Sequence, residues 1–506
     1  MTAPNLLVRT EQGQVTGVVS RLASVTVYKG IPYAASTAGD NRWRPPLPPR
    51  VWKGVRAADR FGDICPQPDP VPGFSQSEDC LNLNIWTAAA SSPDPRPVLV
   101  WIHGGRFLFG HGGEPEFDGA ALASKGLVVV TLNYRMGVFG YLALPELGVE
   151  SGHGASGNYG LLDQMAALRW VRDNIAAFGG DPQRVTVAGQ SAGGASVVDM
   201  LYSPLGRGLF DRAVVESAAL HPRDPAISTL APSPRNLVQA EKDGLAYAAN
   251  RGATGLADLR TLPAGDLLRG SDVNDTSVPG NPPPPLFRPV IDGWVLPRTY
   301  GETLTEGPPV GVPVLTGNNK DENGATPRQE VTLKQYRARA AVKYGDMAEE
   351  FLALYPAATD VEASEQTNAA LRDATRVSTY LWATEYGATT SNPVFTYYWT
   401  HQPPGAQGEA RGAHHGSEIA YVFANPHTVG APYTETDRGI ADTLSSYVVN
   451  FATGGDPNGP GLPAWAPVSD GSPTTFEVGT AFGRLSVADS ERTDFLMRFF
   501  AARKAW

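Results

Sequence analysis

Cysteine is almost missing from this chain: Cys65 and Cys80 are the only two in 506 residues. Two thiols cannot fill the ligand set of a structural zinc site, so no cysteine-based metal centre is available. The segment between them, Pro66 to Asp79, carries four prolines and reads as a loop. A disulfide closing it would contribute about 3 kcal/mol. Two buried thiols in a reducing cytosol are the ordinary alternative, and composition leaves both open. Long apolar runs are also lacking; none approaches the roughly 18 residues of a membrane-spanning helix. Positive charge is in deficit, with 41 basic against 51 acidic residues and a net charge of −10. That balance argues against binding a nucleic-acid backbone or an anionic membrane surface. The first residues, Met1-Thr2-Ala3-Pro4-Asn5, show no basic stretch followed by an apolar one. No signal peptide is therefore expected and a cytoplasmic location follows, although a secreted protein stripped of its leader would look the same.

What the chain does have is an ordinary 42% hydrophobic fraction, 55 glycines and 44 prolines. These imply a packed core with many ordered loops. Pro97–Ile102 and Leu127–Leu132 are near-continuous apolar runs, as expected of strands covered on both faces. Leu81–Trp86 alternates with period two and reads as a half-buried strand. Leu161, Leu162, Met165, Leu168, Val171 and Ile175 recur at helical spacing. Antiparallel strands are expected at Gly13–Val19 and Val25–Tyr28, and later strands at Val312–Thr316 and Val394–Trp399. Residues 270–286 read as a long polar loop, residues 330–390 as helices, and the end of the chain as an amphipathic helix around Phe495–Phe500. Alternating strands and helices imply an α/β fold with a large, mostly parallel sheet and helices on both faces. Without repeats or a clean linker, residues 1–506 are expected to form one domain with insertions at about 220–310 and 325–410.

The most informative stretch is Gly189-Gln190-Ser191-Ala192-Gly193. It fits the Gly-x-Ser-x-Gly pattern of a nucleophile elbow, and the context is right. A β-branched run, Arg184–Ala188, precedes it and a helix start, Gly194–Leu201, follows. A serine alcohol needs a base within hydrogen-bond reach, and the base needs an orienting carboxylate, in the chain order Ser, acid, His. The loop after Val312–Thr316 offers two acids, Asp321 and Glu322, and composition does not choose between them. Of eight histidines, His414 and His415 precede a glycine and an apolar run, which sets the pair above His401 and His427. Backbone donors for an oxyanion are expected from Ala192 and from the loop His103-Gly104-Gly105-Arg106 that follows an earlier strand.

These segments together resemble the type-B carboxylesterase family, which includes cholinesterases and bacterial p-nitrobenzyl-type esterases. The resemblance also rests on Arg42–Pro46, Ser77–Asn84, Asn133-Tyr134-Arg135, Asn158–Gln164 and Phe178–Pro182. It implies an α/β-hydrolase fold and a serine carboxylesterase that needs no metal or cofactor. Small-molecule esters would be its partners, and the protein would be a monomer or small homo-oligomer. It implies Ser191 as nucleophile, His415 as base, Glu322 as the orienting acid, and Gly105, Arg106 and Ala192 as the oxyanion hole. It implies a Cys65–Cys80 disulfide, structural ion pairs Arg42–Glu78 and Arg135–Asp163, and a serine near the acid, Ser217.

Three departures bear on substrate. Gln190 stands where the family often has Glu, which removes a negative charge beside the nucleophile. The loop 66–79 is short and lacks tryptophan, so choline esters and lid-gated lipolysis are disfavoured. Arg106 stands where the family has a small residue in the oxyanion loop. Gln190 and Arg106 are thus the substrate-binding candidates, and a guanidinium at the pocket mouth would favour acidic esters. An outward-facing or salt-bridged arginine is the more ordinary placement. Amide or carbamate hydrolysis by the same triad, and a non-catalytic adhesion member of the fold, are the competing readings; the complete triad weighs against the latter.

Overall fold

The computed structural model describes residues 6–89, 94–230, 233, 235–278, 283–428, 430–469 and 471–506. Eleven strands form its main sheet. In chain order they are β1 (Val18–Val19), β2 (Thr26–Pro32), β3 (Asn82–Thr87), β4 (Arg96–Ile102), β5 (Val128–Leu132) and β6 (Gly180–Gln190). The rest are β7 (Arg212–Glu216), β8 (Val314–Asn319), β9 (Val394–Trp399), β10 (Thr474–Val478) and β11 (Phe482–Ser486). Across the sheet the order is β11-β10-β9-β8-β7-β6-β4-β5-β3-β2-β1. Strands β5 through β10 and β4 run parallel, while β1 to β3 and β11 add antiparallel edges. The fold is the α/β-hydrolase type expected.

Alternation along β4 builds two cores. Val98, Val100 and Ile102 enter one buried cluster with Leu161, Leu168 and Val171 of helix α1 (Tyr159–Asn174). Leu99 and Trp101 enter the opposite one with Leu444, Val448 and Phe451, from a helix at Glu435–Gly454. Each set follows the strand's period of two, so helices must cover both faces. A third cluster joins Tyr336, Tyr344 and Phe351 of the helices at Leu333–Tyr344 and Ala348–Leu354 to Phe495 and Phe499 of the C-terminal helix, Ser490–Ala501.

Some sequence expectations need correction. Strand β3 is buried on both faces rather than half-buried. Its polar residues are hydrogen-bonded in place: Asn84 donates to Thr131 Oγ1 at 3.0 Å, Asn82 to the Asp63 carbonyl at 2.9 Å, and Thr87 to the Phe178 carbonyl at 2.9 Å. Alternation therefore reported polarity, not exposure. The helices expected over 330–390 end with the long helix Asp360–Thr390, and β9 then returns to the main sheet inside the range 325–410. Within 270–286, Asn274 and Pro285 form a single bridge; residues 279–282 lie outside the described set.

Cys65 and Cys80 are joined in a disulfide, which decides between the two states left open by composition. Arg42 meets Glu78 in a two-pronged pair at 2.7 and 2.6 Å, and Arg135 meets Asp163 at 2.7 Å on both prongs. Both pairs are buried, so removing one partner would cost about 3–5 kcal/mol. Arg42 Nη1 also donates to the carbonyls of Leu259, Arg260 and Leu262, which ties the 220–310 segment to the start of the chain. No helix among the described residues is long and apolar enough to cross a membrane.

Candidate active site

In a parallel sheet, loops leaving the carboxyl ends of the strands share one edge, and ligands bind there. Strand β4 ends at Ile102 before the His103–Arg106 loop, β6 at Gln190 before Ser191, β7 at Glu216 before Ser217, and β8 at Asn319 before Glu322. The connection after β9 carries His415. Every sequence-selected site residue therefore emerges at the same edge.

Ser191 sits between β6 and helix α2 (Ala192–Tyr202) with φ 57° and ψ −123°, a conformation few L-residues adopt. Its N–H donates to the Glu216 carbonyl at 2.9 Å and its carbonyl accepts from Ala195 at 2.8 Å. Backbone packs directly on backbone here. A Cβ on Gly193 would stand 2.0 Å from the Ile102 carbonyl oxygen, so only glycine lets α2 start against the end of β4. A Cβ on Gly104 would lie 3.1 Å from the Ser191 Cβ, which puts the His103–Arg106 loop beside Ser191. That loop is itself tightly wound. Gly105 has φ 101° and faces the Phe109 carbonyl with no room for a Cβ, while Arg106 and Phe107 hold φ 57° and 60°. The N–H groups of Gly105, Arg106 and Ala192 find no acceptor among the described residues.

The acid and histidine alternatives separate cleanly. Glu322 Oε2 accepts from His415 Nδ1 at 2.8 Å, and Glu322 Oε1 accepts from the Asn319 N–H at 2.7 Å. Asp321 instead binds the Arg372 guanidinium and the Ala413 N–H. His414 donates through Nδ1 to the Gly412 carbonyl at 3.0 Å, and its own carbonyl accepts from Asn319. The enclosing protein pulls the His415 imidazole toward neutrality, but the hydrogen bond and charge of Glu322 outweigh it and hold its pKa above 6.5. The ring still exposes 43% of its surface toward the cavity.

Gln190 is placed differently from the sequence expectation. It is buried, it does not line the cavity, and its Nε2 lies 3.3 Å from His415 Nε2. No Ser191–His415 hydrogen bond is formed among the described residues; Gln190 Nε2 faces His415 Nε2 instead. Arg106 does reach the cavity wall, and among the described residues it is not salt-bridged: its Nη2 donates to Asn274 Oδ1 at 3.1 Å and to the Pro283 carbonyl at 3.0 Å. Ser217 has φ 55°, lines the same cavity as Glu322, and its buried Oγ has no partner among the described residues.

Behind the histidine lie two carboxyls that sequence reading passed over. Glu418 is buried and accepts from Asn319 Nδ2, and Glu216 is buried at the end of β7. Burial pushes both pKa values up, reinforced for Glu216 by the charge of Glu418 and for Glu418 by the charge of Glu322. The signal for Glu418 was present, since it closes the His415-Gly416-Ser417-Glu418 segment; Glu216 gave none. Ser191, Glu322, His415, Ser217 and Arg106 together border a cavity of about 510 Å³.

Comparison with known proteins decides the family. The model of the carboxylesterase family matches residues 4–495. The chain belongs to the carboxylesterase family. This carboxylesterase is 37% identical over 472 residues to the fumonisin B1 esterase of Sphingopyxis macrogoltabida, covering 90% of this chain and 83% of that one. It is 36% identical over 474 residues to the para-nitrobenzyl esterase of Bacillus subtilis (strain 168), covering 89% and 90%. A solved PNB esterase superposes with a TM-score of 0.79 at 33% identity, over 97% of this chain and 99% of that one. The carboxylesterase is thus a carboxylic ester hydrolase, and the geometry above is where its chemistry must be sought.

Proposed function

We propose that Ser191, His415 and Glu322 hydrolyse small to medium carboxylic esters through an acyl-enzyme. The observation that carries this reading is the Glu322–His415 hydrogen bond of 2.8 Å facing the same cavity as the strained Ser191. With Nδ1–H donated to Glu322, the Nε2 lone pair of neutral His415 is left free to take a proton. On substrate entry Ser191 Oγ displaces the Gln190 amide from that nitrogen. Catalytic hydrogen bonds commonly tighten only in the substrate complex. Ser191 Oγ then attacks the ester carbonyl while His415 accepts its proton. The free N–H groups of Gly105, Arg106 and Ala192 receive the oxyanion; losing one such donor typically costs about 3–4 kcal/mol. His415 returns the proton to the leaving alcohol, and water, activated by the same nitrogen, releases the acid. Glu322 keeps the tautomer and stabilises the imidazolium. Gln190, without charge, steers the resting base and leaves the negative charge near His415 to Glu322 and Glu418.

An organophosphonate should label the protein once, and Ser191→Ala should abolish both labelling and turnover of a p-nitrophenyl ester. Labelling that persists at another serine overturns the assignment.

A further inference from the structure

The cavity holds more positive charge than its chemistry uses. Four charged side chains border it: Arg106, Arg411, Asp321 and Glu322, together with His414 and His415. Both acids are engaged, Asp321 with Arg372 and Glu322 with His415. His414 is held toward the neutral form, chiefly by burial. Neither arginine has a carboxylate within 4.0 Å among the described residues.

Arg106 is the costlier of the two. It is partly buried, its only partners among the described residues are the neutral oxygens of Asn274 and Pro283, and both are held by Nη2 alone. Nε and Nη1 keep their donors unused. A guanidinium withdrawn from water without a counter-charge is a cost that a bound anion relieves. Arg411 ends a short helix, Ala406–Arg411, and lies close enough to depress the pKa of both His414 and His415. Arg106 leaves the sheet after β4 and Arg411 after β9, and β6, which presents Ser191, runs between them. Both guanidiniums thus border the cavity that Ser191 borders. Planar forks of this type match the two oxygens of a carboxylate.

We propose that Arg106 and Arg411 select esters carrying a second, ionised carboxylate, which they hold while Ser191 attacks the ester carbonyl. This rests on the ester-hydrolysis reading above and adds the substrate class to it. The probes are p-nitrophenyl hydrogen adipate and p-nitrophenyl hexanoate, which share a chain length and differ in the terminal carboxylate. The readout is the ratio of their kcat/KM values within each protein, so a general loss of activity in a variant cancels. The unmodified enzyme should favour the adipate ester, and less so as salt is added. Arg106→Gln and Arg411→Gln should each lower the ratio about tenfold, and the double variant about a hundredfold. Arg411→Glu should turn the preference toward an ester ending in trimethylammonium. Ratios unchanged in all these variants overturn the proposal. An enzyme inert to both esters would overturn the ester reading instead; calorimetric binding of adipate itself, weakened in the same variants or not, then still decides the role of the arginines.

Discussion

The two halves of the site are held by different physics. On the β4–β6 side, backbone lies against backbone: Gly193 touches Ile102, Gly105 touches Phe109, and Ser191, Arg106 and Phe107 keep left-handed torsions. On the β8–β9 side, side chains hold side chains: Glu322 to His415, Asp321 to Arg372, and Asn319 to Glu418. The first half is defined by excluded volume and tolerates no added atom. The second is defined by charge and hydrogen bonding and tolerates substitutions of equal shape at a graded cost.

The largest effect should come from adding one methyl to the steric half. Gly193→Ala places a Cβ 2.0 Å from the Ile102 carbonyl oxygen, and neither backbone can yield. Loss of measurable turnover with a lowered Tm is expected. A folded variant retaining a tenth of the activity would break the comparison. Next comes Glu322→Gln, which keeps shape and removes charge. The fold should survive while kcat falls by up to about 10⁴-fold, as when an orienting acid is made neutral elsewhere. Because Glu322 holds the His415 pKa above 6.5, the acid limb of kcat/KM should lie above 6.5 and move to lower pH in this variant. A limb that stays in place would remove Glu322 from the triad.

Glu418→Gln should be the mildest. Burial raises the Glu418 pKa in the folded protein. The folded state therefore binds this proton more tightly than the unfolded chain does. The resulting destabilisation is absent below the ordinary carboxylate range and grows as pH rises through it toward the folded value. The variant should have a higher Tm than the parent at pH 8 and no advantage at pH 4, measured by thermal unfolding. A lower Tm at pH 8 would mean that Glu418 is ionised and paired.

This contrast also explains what was legible in the sequence. Glycines forced by contact leave a pattern, so the strand–turn–helix at Ser191, the tight His103–Arg106 loop and the strands feeding them were readable residue by residue. Polar choices leave none. Asp321 and Glu322 are adjacent and chemically alike, and only the turn after β8 sends one to Arg372 and the other to His415. His414 and His415 pose the same problem, and the family resemblance, not the spacing, favoured His415. Gln190 was expected on the substrate side because it flanks the serine, yet β6 points its amide at His415. Arg411 belongs to no periodic pattern, and its nearness to the base depends on how the 400–416 connection folds back. Arg106 was expected to be outward or paired, and the residues that receive it, Asn274 and Pro283, come from 168 and 177 positions away.

The order of the strands has a consequence in time. Ser191 and Glu322 follow β6 and β8, His415 follows β9, and the Glu322–His415 and Gln190–His415 contacts span 93 and 225 residues of chain. Parallel neighbours of this kind are joined by long crossover connections, and contacts so remote in sequence are among the slowest to close. A chain that has collapsed, or even built both cores around β4, has not yet brought Ser191 and His415 to one cavity. Return of esterase activity after dilution from denaturant should therefore lag behind return of helical signal, and so time the docking of the last parallel strands.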